Sequence, residues 1–79
     1  MYVITANVRY YSNGPLVPSF LAFDTARNMF VWDDESAEFF GRFQDASAFI
    51  DDFSNKRIGW ACYFGIEDVK VKEVKILDV

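Results

Sequence analysis

The side chains of this chain best suited to chemistry are its carboxylates and a single thiol; histidine is absent. The acids crowd into one stretch. Asp33, Asp34, Glu35, Glu38, Asp45, Asp51 and Asp52 fall within twenty residues, with Arg42 the only base among them. Clustered carboxylates have three uses: holding a metal, exchanging protons, or presenting negative charge to a basic partner. "DDESAE" lacks the alternating Asp/Asn spacing, the glycine and the distal glutamate of a calcium loop. Zinc is served no better, with no imidazole and one sulfur. Acid–base work needs a pocket that drives two pKa values apart, and adjacent Asp51 and Asp52 on a helix surface imply none. Without histidine there is no Ser-His-Asp or Cys-His arrangement. Cys62, inside "WACYF", lacks the cationic or helix-N-terminal setting that activates a thiolate and is expected to be a small buried hydrophobe. No catalytic, metal-binding or cofactor-binding residue is therefore expected, and the chain is not expected to be an enzyme. What remains for the acids is solvated turns and caps, or contact with a protein.

The elements that position these residues follow from periodicity. Tyr2, Ile4, Ala6, Val8 and Tyr10 alternate with Thr5, Asn7 and Arg9, which predicts a strand with one buried face. "SNGPLVP" (Ser12–Pro18) breaks it. "FLAF" (Phe20–Phe23) and "MFVW" (Met29–Trp32) predict a hairpin around a five-residue connection, "DTARN". Asp45 is placed as the N-cap of a helix whose inner face carries Ala46, Phe49, Ile50 and Phe53, with Lys56 and Arg57 at its negative end. "IGWACYFGI" (Ile58–Ile66) predicts a central strand covered on both faces. In the closing "EDVKVKEVKILDV", Val69 and Val71 alternate with lysines, and the phase then shifts to Val74 and Ile76, which predicts a β-bulge near Lys72–Glu73. Lys70, Lys72 and Lys75 suit an edge strand, where they discourage sheet-to-sheet pairing. The expected architecture is α+β: one domain over residues 1–79, with an antiparallel sheet of about five strands and one helix on a face.

Aromatic content sharpens the question of function. Hydrophobic residues make up 52% of the 79-residue chain, and nine Phe, four Tyr and two Trp are more than one small helix–sheet seam readily hides. Exposed aromatics mark contact surfaces, and Tyr11, Trp32 and Phe40 are the candidates, beside the acidic Asp33, Asp34, Glu35 and Glu38. The alternative for each aromatic is a cap on the edge of the core. A net charge of −4 disfavours a phosphate-binding or membrane surface. The one cysteine, an N-terminus with neither a basic region nor a long apolar core, and the lack of an apolar run long enough to span a bilayer suit a cytoplasmic protein.

From Phe30 to Phe53 the pattern is similar to that of small phage and prophage accessory proteins. In these an aromatic strand ending near a tryptophan precedes Ala-x-x-Phe, a spacer and Ala-x-x-Phe-Ile. Trp32, Ala37, Phe40, Ala46, Phe49 and Ile50 occupy those places. The resemblance implies an accessory factor, in some cases an inhibitor of a host protein, and supplies no catalytic residue. The expected function is thus a non-catalytic protein-binding module without cofactor, whose partner is a host protein or a second copy in a homodimer, with no direct nucleic-acid or membrane binding. Two alternatives stand beside it: a nucleic-acid mimic that fills a basic groove, and a small enzyme or ligand-binding domain whose site forms on dimerisation.

Overall fold

The computed structural model describes residues 1–52 and 63–75. Its elements, in chain order, are β1 (Tyr2–Arg9), β2 (Leu16–Asp24), β3 (Met29–Asp33), α1 (Phe43–Asp51) and β4 (Gly65–Glu73). The strands form one antiparallel sheet in the order β3-β2-β1-β4, with α1 on one face. The class is α+β as expected, with four strands among the described residues rather than about five. Gly65 and Ile66, expected to end a central strand, instead open the edge strand β4. Gly65–Glu73 is a single strand beside β1. Phe53, Lys56, Arg57, most of the run from Ile58, Cys62 and the end of the chain from Ile76 lie outside the described residues.

Alternation in β1 places Ile4, Ala6 and Val8 in the core with Leu21, Trp32, Ala46 and Phe49. Registry carries this across the sheet, with Leu21 opposite Trp32 and Val8 opposite both Val17 and Ile66. The β2–β3 hairpin forms, with Asp24 belonging to β2. Asp24 Oδ1 accepts the amides of Ala26 (3.0 Å) and Arg27 (3.2 Å), and Asn28 takes the left-handed conformation (φ 54°) that its short polar side chain tolerates.

Three local expectations are corrected. First, the helix begins two residues before Asp45, with Arg42 at the N-cap position and no side-chain cap there. Asp45 lies inside the first turn, where its charge still faces the positive end of the helix and meets Arg42 Nε at 3.4 Å. Second, the irregularity in β4 falls near Asp68, not at Lys72–Glu73. The register against β1 shifts between Thr5 and Asn7, and Asp68 is left-handed (φ 58°). One extra residue there lets Ile66 and Val69, three apart, both pack on the core. The later phase change falls where the strand ends. Third, Pro18 lies within β2 rather than in the break, and β2 starts at Leu16.

Candidate functional site

The opposite face of the sheet has no helix among the described residues. Its side chains are the alternate set of the same strands. Registry aligns Asp33, Phe20, Thr5 and Lys70 in one row across all four strands, and Pro18, Asn7 and Glu67 in the next. Val3 stands beside Lys72 in the row on the other side.

What shapes this face is the connector between β3 and α1. Asp33 Oδ1 accepts the amides of Glu35 (2.7 Å) and Ser36 (3.2 Å), which turns the chain back over the sheet. The Glu38 amide then donates to the Leu21 carbonyl (2.8 Å), and Phe40 exchanges two 2.8 Å backbone hydrogen bonds with Tyr2. The connector thereby bonds to both β2 and β1. Phe39 and Phe40, being consecutive, point to opposite sides of it. Phe40 turns inward, packed against the core with its ring 5.8 Å from that of Phe49. Phe39 turns outward and keeps 48% of its surface exposed.

Phe39 stands at the lip of an open groove of about 760 Å³. Val3 and Phe20 form its floor; Glu35, Ser36 and Ala37 continue the connector lip; Lys72 to Lys75 form the other. A second depression, of about 460 Å³, adjoins it over Thr5, Asn7 and Pro18, and shares Phe20 and Lys72. On the helix side a smaller recess of about 320 Å³ brings together Tyr10, Tyr11, Pro15, Val17 and Asp34.

The anticipated contact residues therefore separate. Tyr11 is the most exposed large aromatic among the described residues, at 74%, and shares the recess with Asp34. Glu35 borders the large groove. Asp33 is committed to the turn it caps, and the Glu38 backbone to the bond with β2. Trp32 and Phe40 do not offer exposed anchors. Trp32 is 3% exposed in the core, because Leu21 opposite it faces the helix, and Phe40 is held inward by its bridge to Tyr2. Phe39 is the outward member of the pair, and no local signal in the sequence distinguishes it from Phe40.

Two polar devices support the site from behind. The Tyr10 phenol and the Ser19 hydroxyl share a 2.6 Å hydrogen bond, and the Ser19 hydroxyl also reaches the Val17 carbonyl (3.0 Å). Burial raises the Tyr10 pKa above its usual value; the Ser19 hydrogen bond opposes this, and the nearby Asp34 and Asp33 charges add to it. At the β3 edge, the Tyr63 hydroxyl accepts from the Trp32 amide (2.8 Å) and donates to the Trp32 carbonyl (3.2 Å). One side chain thus occupies both backbone groups of an edge residue.

Among the described residues, no three of Cys, Asp and Glu converge as a metal site, and no helix is long and apolar enough to cross a membrane. Comparison with protein-family models, with curated proteins and with solved structures finds no match to this chain.

Proposed function

We propose that this chain is a non-catalytic protein-binding module whose contact surface is the sheet face opposite α1, centred on Phe39. The observation that carries this reading is the pairing of an exposed aromatic, Phe39, with the open groove that it borders beside Phe20. A small monomer gains nothing in stability from holding Phe39 in water, whereas an aromatic at the rim of a groove is the usual form of a binding anchor. Glu35 of the connector borders the same groove and supplies orientation more than affinity. The setting implied by the Phe30–Phe53 pattern, a mobile-element accessory factor or inhibitor acting on a host protein in the cytoplasm, belongs to the same proposal.

The test is affinity capture from bacterial lysate with wild type and Phe39→Asp, each shown to melt normally. A protein retained by wild type, lost with Phe39→Asp, and held in about 1 M salt, where the Debye length is near 3 Å, is the expected result. Capture that collapses with salt and ignores Phe39 would favour the nucleic-acid-mimic alternative instead.

A further inference from the structure

The large groove carries a pattern of charge more specific than its apolar floor. Its two lips have opposite signs. Glu35 stands on the connector lip beside Phe39, and Lys72 and Lys75 stand on the β4 lip, with Val3 and Phe20 between them. None of these three charges has an ion-pair partner among the described residues, unlike Lys70, which meets Asp68 at 3.2 Å. Glu73 also borders the groove, but its registry partner is Tyr2, whose ring packs on Phe43 at the helix side.

A two-fold axis lying along such a groove exchanges its lips. The acidic lip of one copy then meets the basic lip of the other, twice. A groove of uniform sign would repel its own copy, and this one is complementary to itself. We infer that the occupant of the groove is the same groove of a second copy, in an isologous dimer. In it Phe39 of each protomer rests on Phe20 of its partner, and each Glu35 faces Lys72 and Lys75 across the interface. This inference rests on the protein-binding reading and specifies the partner. Lys72 serves it without edge-to-edge strand pairing, since registry with Val3 places it on the sheet face.

The experiment is sedimentation velocity over a concentration series on wild type, Glu35→Lys, Lys72→Glu, and an equimolar mixture of the two variants, with melting curves as folding controls. Wild type should sediment as a concentration-dependent dimer. Each variant alone should associate at least roughly tenfold more weakly, because like charges then face each other at both lips. The mixture should recover the dimer. In the mixed pair, the lysine introduced at position 35 of one chain meets the glutamate introduced at position 72 of the other. At the second lip, the unaltered Lys72 and Glu35 meet as they do in wild type. Rescue by mixing therefore requires that the two lips touch each other across the interface. A wild type that stays monomeric throughout, or a mixture no tighter than its components, overturns the inference. If wild type is monomeric yet still captures a different protein through Phe39, the self-docking proposal falls and the protein-binding reading stands. If Phe39→Asp changes neither, both fall.

Discussion

The two faces of the sheet are made from alternate residues of the same strands, yet they answer to different demands. On the helix side, Ile4, Ala6 and Val8 are buried under Ala46 and Phe49, and the polar groups present, Ser19 and Tyr10, satisfy each other. On the far side, Thr5, Asn7 and Arg9 are half-buried, as expected of a face that meets water. Leu16, Ala22, Met29 and Val31 share that face through β2 and β3, and Val3 on it is 1% exposed. The helix face uses its apolar residues to hold the fold. On the far face Phe20 and Phe39 keep apolar surface accessible beside one groove, which is the distribution expected of a surface that is completed by association.

Truncation on the two faces should therefore have unequal consequences. The largest effect is expected at Phe49, which is 8% exposed and makes edge contacts with Phe30 at 4.8 Å. Phe49→Ala should lose about 3–5 kcal/mol of unfolding free energy in a urea titration, enough to unfold many small domains. A cooperative transition at the wild-type midpoint would break the assignment of this face as the core.

Tyr10→Phe should cost about 1 kcal/mol, the net worth of its hydrogen bond to Ser19. It should also alter the alkaline limb of the stability profile. The folded-state phenol holds its proton to higher pH than the unfolded one, so its contribution is fully present below pH ~10 and is lost as pH rises through the folded pKa. The difference between wild type and Tyr10→Phe should shrink over that window; a constant difference would show that Tyr10 titrates alike in both states.

A smaller change is expected at the β4 bulge. Asp68 is left-handed and exposed, so Asp68→Gly should relieve backbone strain and raise stability by roughly 0.5 kcal/mol, detectable as a small rise in melting temperature. A loss of 1 kcal/mol or more would mean that its ion pair with Lys70 matters more than the backbone.

Much of the core was legible because local periodicity and tertiary burial agree there. The β1 alternation, the β2–β3 hairpin and the Ala46–Phe49–Ile50 face all follow from spacing. The groove face was harder to read. Trp32 is aromatic, at the end of a strand and next to acids, which suits an interface residue; registry with Leu21 buries it. Phe39 and Phe40 are locally equivalent, and a backbone bridge to Tyr2, far away in the chain, decides which one faces water. The bulge was recognisable in kind but not in place. Two phase changes lie in the last strand region, and only the one at Asp68 lies within the ladder.

The central claim, that one face is core and the other a docking surface, is tested most directly within the adjacent pair of phenylalanines. Thermal unfolding and sedimentation should be measured side by side for Phe39→Ala and Phe40→Ala. Phe40→Ala should melt well below wild type, with a loss of about 2 kcal/mol for a partly buried ring. Phe39→Ala should melt within about 0.5 kcal/mol of wild type, as an exposed position does, and lose self-association or partner binding. If Phe39→Ala instead unfolds as early as Phe40→Ala, or melts normally and associates as wild type does, the groove face is not a docking surface.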